Sequence, residues 1–469
     1  MMNRRGAWVV SSASAQVGHL PQKPGVEITA VEGDNELRKH GSRLVTIFIL
    51  VALLLYSGAA RPLLGVLSDE SGPGGRLAFR PLYLLLIALA LMRSTEFLRS
   101  AASRKILLLF ASFAVASIAW STTPDLTARR GFSLVMATVL GLYFVTRFNQ
   151  RERLRIICAT LGIAAVLSVL AALLAPSTGL MPDGAGWRGV FVHKNVFGKM
   201  MALSCGAFLL LAMDLERRRW MAFAGAAVSF ALVVLSRSVT ALLIAVTVLS
   251  VTPLFRTLRL TRTRHLLLLI AAIVLAEVVL LGTYLEWQAL LSLLGRDPTL
   301  SGRTELWQTL MDPVLRRPWL GYGLGGFWLG WQGESGAVWS AIGWRPPHAH
   351  NGFLDMVLDL GVVGLSIFLI GYIGALIKAL QAARQSSKSY ELWPLFFLTF
   401  LLLSESTESA LLAQNSLIWV LYLTTMSITM ESANAAGAET RPRGSTRPLS
   451  IGVRRRLRLQ KRSLPFFHQ

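Results

Sequence analysis

One histidine stands where a polar loop turns into an apolar helix, at residues 345–364 of the chain. Pro346 and Pro347 cannot sit inside a helix, and the apolar spacing that follows predicts a helix from Asn351 onward. His350 then lies at the helix N-terminus, where the helix dipole disfavours an imidazolium and favours anions. The pattern therefore predicts a neutral His350 that can act as a general base beside an anionic ligand.

The same stretch carries two further patterns. Asn351, Asp355 and Asp359 recur every fourth residue and therefore share one face of the predicted helix. Gly361 and Gly364 lie about one turn apart, which predicts that a neighbouring helix approaches closely there. A lone histidine at a helix start is more often a cap or a packing residue, so the assignment of a base depends on the wider context.

Two arginines could bind an anion beside such a base. Arg237 lies in a short turn at 236–238 between two apolar runs, where a charge is costly unless it faces a polar cavity or a partner. An arginine that snorkels to the headgroups is the alternative. Arg303 opens a predicted amphipathic helix at 303–312, which we expect to end near Pro313. Its charge opposes the helix dipole, which hints at an anionic ligand, although an exposed arginine without a partner fits equally well.

Polar and aromatic residues of other external segments are candidates for binding. A second basic cluster, with the asparagine that follows it, comprises Arg188, His193, Lys194 and Asn195. The glycines of 321–326 formally match a dinucleotide-binding fingerprint, but that site needs a preceding strand, a following helix and a cytosolic setting, which the sequence does not support. We expect instead that this aromatic-rich loop, with Tyr322, stacks against sugar rings.

A metal site at His348 and His350 is disfavoured by the sequence. No third ligand stands nearby at helical spacing, and the chain has no Asp-x-Asp motif of the kind used by metal-dependent glycosyltransferases. Glu277, in an apolar run, could pair with a base. We therefore expect neither a metal nor another cofactor.

Composition places these residues in a membrane. Of the 469 residues, 53% are hydrophobic and 15% are charged, and the long apolar runs between charged residues predict an all-α polytopic membrane protein. The net charge of +22 could indicate nucleic-acid binding, but its distribution along the chain argues against that class. Cys158 and Cys205 lie within apolar runs, so neither a disulfide nor a zinc site is expected.

About twelve transmembrane helices are predicted, with one large external loop. The spans are 44–60, 77–92, 106–120, 131–146, 156–175, 200–213, 220–235, 239–255, 266–285, 352–376, 392–404 and 410–430. With both tails inside, 33 of the 47 lysines and arginines lie on the cytoplasmic side. The prediction is a cytoplasmic N-terminal tail at 1–42, a membrane domain at 43–430 and a basic cytoplasmic C-terminal tail at 431–469. The loop at 286–350 is then periplasmic and contains short helices.

The spacing of these residues resembles a signature of the bacterial O-antigen ligases and Wzy-type polysaccharide polymerases. The residues that carry it are Arg303, Trp307, Pro318, Gly321, His350, Asn351, Gly361 and Gly364. The 236–238 turn looks like the short arginine turn of that superfamily. The segment at 188–195 is most similar to the exopolysaccharide-polymerase (ExoQ-like) branch. The resemblance covers roughly residues 186–375.

The resemblance implies a GT-C-like, metal-independent membrane glycosyltransferase. Its substrate would be a polyprenyl-diphosphate-linked glycan at the periplasmic face of the bacterial inner membrane. Arg237 and Arg303 would hold the diphosphate, and His350 would take the proton from the acceptor hydroxyl. We expect substrate contacts from Arg188, His193, Lys194, Asn195, Trp307, Tyr322, His348 and Asn351.

Polymerisation of exopolysaccharide or O-antigen is the expected activity. Two alternatives remain open: ligation of O-antigen to lipid A core, and a lipid or glycan transporter. Transporters generally place ionisable groups at mid-membrane and contain internal repeats, whereas the candidates here cluster toward one face. The expected partners are the lipid-linked glycan, the lipid bilayer and other polysaccharide-assembly proteins, and not nucleic acid.

Overall fold

Long apolar runs bounded by charged residues form helices in every part of the chain that a computed structural model describes. These parts are residues 43–59, 73–182, 184–215, 217–257, 302–385 and 388–426. They contain no β-strand beyond one isolated bridge between Leu180 and Trp187. Both predicted tails, the predicted span at 266–285 with Glu277, and the start of the large loop lie outside the described residues.

The helices are α1 (Arg43–Tyr56), α2 (Pro73–Met92), α3 (Ser94–Ala102), α4 (Lys105–Ala116), α5 (Pro124–Arg147), α6 (Gln150–Leu174), α7 (Lys194–Asp214), α8 (Arg219–Leu235), α9 (Val239–Thr257), α10 (Arg303–Arg316), α11 (Glu334–Ile342), α12 (Gly352–Gln385), α13 (Trp393–Thr407) and α14 (Leu417–Met426). The chain divides into a unit that ends at Ile49 and a second unit that begins at Leu50. The second unit holds every candidate site residue.

Several of these helices are suited to a bilayer. Four of them, α5, α6, α7 and α12, are long and apolar enough to cross a membrane, and the pair α2–α3, bent by 92°, would make a fifth span. Each predicted span within the described residues overlaps a helix. The described residues are thus helical and include the apolar helices of a multi-pass membrane protein. The number of twelve spans and the GT-C-like arrangement stay predictions.

Helix α7 brings polar residues to one end of the helix bundle. It packs against α6, α8, α9 and α13. Close packing is possible because Gly198 and Gly206 have no side chain: a Cβ would meet Ser236 at the first and the Phe396 ring at the second. The first turns of α7 therefore lie directly against the turn that carries Arg237.

A break in α12 shapes the glycine-rich loop. Gly361 has φ 67° and ψ −175°, which ends regular helix geometry there. The loop repairs the backbone hydrogen bonding: the N–H of Tyr322 donates to the Leu358 carbonyl at 2.8 Å, and the N–H of Val362 donates to the Pro318 carbonyl at 2.8 Å. Where water is absent, the backbone N–H and C=O groups that a helix break frees need other hydrogen-bond partners.

The structure corrects two predictions in this region. A Cβ on Gly361 would collide with the Trp319 carbonyl, so the close neighbour at this glycine is a loop and not a helix. Helix α10 runs through Pro313 to Arg316 instead of ending near the proline. Pro313 is buried, and its carbonyl accepts a hydrogen bond from the Tyr322 hydroxyl at 2.9 Å.

The segment from residue 302 to the start of α12 has a hydrophobic core of its own. Its members are Leu306, Leu310, Tyr322, Phe327, Val338, Ile342, Ala349 and Leu358. They join α10, the glycine-rich loop and α11 to the start of α12. This packing fixes the first turn of α10 and the loop before α12 relative to each other, and those two places carry Arg303 and His350.

Candidate functional site

A buried carboxylate lies at the centre of the candidate site. Glu408 follows α13, and its side chain is 6% exposed. Its Oε1 lies 3.2 Å from Nη2 of Arg303, 3.1 Å from Nδ1 of His350 and 3.0 Å from Nδ2 of Asn195. Its Oε2 lies 3.3 Å from Nε2 of His348. The cluster therefore joins four parts of the chain that are far apart in sequence.

The loop that carries His350 is held from several directions. The indole N–H of Trp307 donates to the Ala349 carbonyl at 2.8 Å, and the Ala349 N–H donates to the carboxylate of Asp355 at 3.1 Å. His350 itself has φ 52°, a conformation uncommon outside glycine that the surrounding bonds must maintain. The Trp344 ring stacks on the imidazole with 6.0 Å between centroids. Trp307 thus positions the loop.

The predicted start of the helix is confirmed. Helix α12 begins at Gly352, and Asn351 caps it, because its Oδ1 accepts the backbone N–H groups of Phe353 and Leu354 at 3.1 Å each. His350 directly precedes this cap, as the sequence predicted.

The hydrogen bonds assign different roles to the two histidines. Nδ1 of His348 accepts the backbone N–H of His350 at 3.1 Å, so the ring proton of neutral His348 lies on Nε2, facing Glu408. Burial, opposed by Glu408, lowers the pKa of His348 to about 4, so this ring is neutral at pH 7. A proton on Nδ1 of His350, also facing Glu408, leaves its Nε2 free to accept another. His350 is the histidine arranged as a base.

Glu408 is an anion in this site. Burial alone would raise the pKa of its carboxyl group, but the His350 imidazole 3.1 Å away and the nearby Lys199 hold that pKa well below its usual range. Asn195 connects the carboxylate to the arginine turn, because its Oδ1 accepts the Ser238 hydroxyl at 3.0 Å. The sequence reasoning missed Glu408. The available signal was an acid at the end of an apolar run, where a charge needs a reason.

Arg237 lies beside the cluster but not within it. Its backbone has φ 51°, its side chain is exposed, and Nη1 lies 3.4 Å from the Gly184 carbonyl. The neighbouring Ser238 makes the link through Asn195 to Glu408. The guanidinium is therefore available to a ligand that lies on the outer side of the site.

The second basic cluster makes bonds to the backbone of its own segment. The Arg188 guanidinium donates to the carbonyls of residues 177–178 at 2.8 and 2.9 Å. His193 caps α7 by accepting the Asn195 N–H through Nδ1 at 3.2 Å, and Lys194 donates to a carbonyl 3.1 Å away. Each has a structural role here, and their contact with substrate stays a prediction.

Tyr322 is not placed to stack against a sugar. Its ring is 2% exposed and packs edge-on against Phe327, with centroids 5.2 Å apart. A buried ring has no free face, because the loop inserts into the break of α12, so this prediction is corrected. Trp319 and Trp331 are the exposed indoles of the segment, and Trp319 with Trp120 lines a surface pocket of about 310 Å³.

The cluster also supplies the third potential metal ligand that the sequence lacked. Ligand atoms of His348, His350 and Glu408 all lie within 4.8 Å of one another. However, the Nδ1 lone pair of His348 accepts a backbone N–H, which places its proton on the nitrogen that faces Glu408. The same carboxylate is paired with Arg303, whose charge repels a cation. These contacts fit a hydrogen-bonded ion-pair network better than a metal site.

Comparisons with known proteins relate the chain to polysaccharide-assembly proteins. The O-antigen ligase family model, Wzy_C, matches residues 224–369, a range that includes Arg237, Arg303 and His350. The exopolysaccharide production protein ExoQ of Rhizobium meliloti is 29% identical over 333 residues, which are 69% of this chain and 76% of that protein. A Rickettsia conorii protein named as a polysaccharide ligase is 32% identical over 79 residues, 16% of this chain and 19% of that protein. The chain is therefore similar to the O-antigen ligase family over residues 224–369 and to ExoQ over most of its length.

Proposed function

We propose that this protein is a polysaccharide polymerase. It transfers glycan from a polyprenyl-diphosphate-linked donor to a lipid-linked glycan acceptor at the periplasmic face of the bacterial inner membrane. The observation that supports this most is the convergence of His350, Arg303 and Glu408 within 3.2 Å contacts. A general base, a phosphate-binding guanidinium and a carboxylate to orient the base are the groups that such a transfer needs without a metal.

The geometry suggests how the bonds change. The acceptor hydroxyl gives its proton to Nε2 of His350 while its oxygen bonds to the anomeric carbon of the donor. The bond from that carbon to the diphosphate oxygen breaks, and the diphosphate leaves with the electron pair. Arg303 and Arg237 stabilise the charge that develops on it, since guanidinium groups bind phosphate oxygens in pairs. Glu408 stabilises the imidazolium that forms on His350.

The placement of the cluster favours an enzyme over a transporter. Its residues come from the starts of α7, α10 and α12 and from the chain just after α13. In the orientation set by the lysines and arginines, these ends all lie on the external side. A transport site at mid-membrane would draw its polar groups from the middle of helices.

The choice of polymerase over ligase depends on the acceptor. Both activities use the same donor, so the histidine and arginines serve either one. The similarity to an exopolysaccharide production protein extends over 69% of the chain, whereas the similarity to the protein named as a ligase covers 16%. This difference favours growth of a lipid-linked glycan over its transfer to lipid A core.

Purified protein in liposomes, supplied with lipid-linked repeat units and no lipid A core, tests this choice. We expect longer glycans on the same lipid carrier, read by gel electrophoresis and mass spectrometry. The matched control is His350→Asn protein in identical liposomes, which should leave the repeat units unchanged. Transfer that occurs only after lipid A core is added would identify a ligase and contradict the polymerase proposal.

A further inference from the structure

Lys199 is a buried lysine whose Nζ has no hydrogen-bond partner among the described residues. It lies one turn after Asn195 in α7 and is 4% exposed. Burying an ammonium group away from water is costly unless nearby charges compensate for it. The position of Lys199 therefore calls for a reason that the fold alone does not give.

The neighbours of Lys199 are two carboxylates that are bonded elsewhere. Its ammonium group interacts electrostatically with Glu408 and Glu405, and more weakly with Arg303. Glu405 accepts the backbone N–H groups of Ala410 and Leu411 at 3.1–3.3 Å. Glu408 is held by Arg303 at 3.2 Å. Lys199 thus faces negative charge but has no direct bond to it.

Arg303, in contrast, has a hydrogen bond on each of its two Nη atoms. Nη2 pairs with Glu408, and Nη1 donates to the Thr407 carbonyl at 3.0 Å. A diphosphate that binds both Nη atoms of this guanidinium competes with Glu408 for Nη2. If Glu408 lost Arg303 and gained no other cation, the free-energy cost of an unpaired buried carboxylate would oppose diphosphate binding.

We propose that Lys199 becomes the ion-pair partner of Glu408 when a diphosphate binds Arg303. The inference rests on the proposed function of Arg303. Before binding, Arg303 pairs with Glu408 and Lys199 has no bonded partner. After binding, Arg303 pairs with the diphosphate and Lys199 pairs with Glu408, so Glu408 is never left without a cation. Lys199 is then a positioning residue that keeps the carboxylate beside His350 while the donor is bound.

A double-mutant cycle on binding tests the exchange without relying on activity. Glycan-free undecaprenyl diphosphate is the probe, and its Kd is measured for purified protein in nanodiscs. Lys199→Met should weaken binding about 10- to 100-fold, as expected for loss of one charged pair. Lys199→Arg, which keeps the charge, should bind within about threefold of wild type. Glu408→Gln removes the competing carboxylate, so adding Lys199→Met to it should change Kd less than about threefold.

Three outcomes would overturn the inference. Wild-type binding by Lys199→Met would show that Glu408 needs no second partner. Equal weakening by Lys199→Met with and without Glu408→Gln, or weakening by Lys199→Arg as large as that by Lys199→Met, would show that the lysine acts by contact or packing. A probe that binds neither wild type nor Arg303→Ala, or binds both equally, would instead overturn the proposed function of Arg303 and the inference with it.

Discussion

Replacing His350 with asparagine is expected to lower the rate of glycan transfer about 10²- to 10⁴-fold, the usual loss when a general base is removed. Asparagine adopts positive φ more readily than most residues, so the turn at φ 52° should persist. It has no nitrogen that can take up the acceptor proton. Initial rates on lipid-linked repeat units, at equal amounts of membrane-inserted protein, measure the loss.

The matched control is His348→Asn, two residues earlier in the same loop. Its ring is neutral at pH 7 because burial, despite the opposing charge of Glu408, lowers its pKa to about 4. Both ring nitrogens are engaged, one with the His350 N–H and one facing Glu408. His348→Asn should therefore be milder than His350→Asn. Near-normal transfer by His350→Asn, or equal losses in the two variants, would contradict the assignment of His350 as the base.

Replacing Arg303 with lysine is expected to lower kcat/KM about 10²- to 10³-fold, comparable to the loss of one donor that stabilises transition-state charge. The charge is conserved in this substitution, but the planar pair of donors is lost. Arg303 uses its two Nη atoms at once, on Thr407 and on Glu408, and an ammonium group cannot bridge those positions. Steady-state kinetics with the lipid-linked donor give the value.

Helix α10 offers its own control for this substitution. Arg316 lies on the same helix, half exposed, and pairs with Asp312 and Glu334 at the surface. Exposed pairs of this kind contribute little, so Arg316→Lys should retain activity within about threefold of wild type. If Arg303→Lys retains as much kcat/KM as Arg316→Lys, the result contradicts a bidentate role for Arg303 in phosphate binding.

Local sequence was sufficient where one segment determines the structure. The prolines, the polar cap and the apolar spacing after it predicted the start of α12 and the place of His350 directly before the cap. The first turn of α10 was predicted for the same reason, and Arg303 lies in it. In both cases the residues that decide the backbone conformation are neighbours along the chain.

The centre of the site could not be predicted in this way. Glu408 lies 58 residues after His350 and 105 after Arg303, and only packing of α7, α10, α12 and α13 brings these residues together. Lys199 was likewise one of many cations near the start of an apolar run. The prediction for Tyr322 was wrong because a glycine-rich sequence suggests an exposed loop. In the structure, the backbone of this loop donates hydrogen bonds to α12 at its break near Gly361.

A cryo-electron microscopy structure with a polyprenyl-diphosphate-linked glycan bound tests the central claim most directly. The account predicts the diphosphate within hydrogen-bond distance of Arg303 and Arg237, and Nε2 of His350 open to the side from which the acceptor arrives. Glu408 should have left Arg303 while remaining beside His350. A diphosphate bound elsewhere, with the pair between Arg303 and Glu408 still at its 3.2 Å separation, would contradict the account.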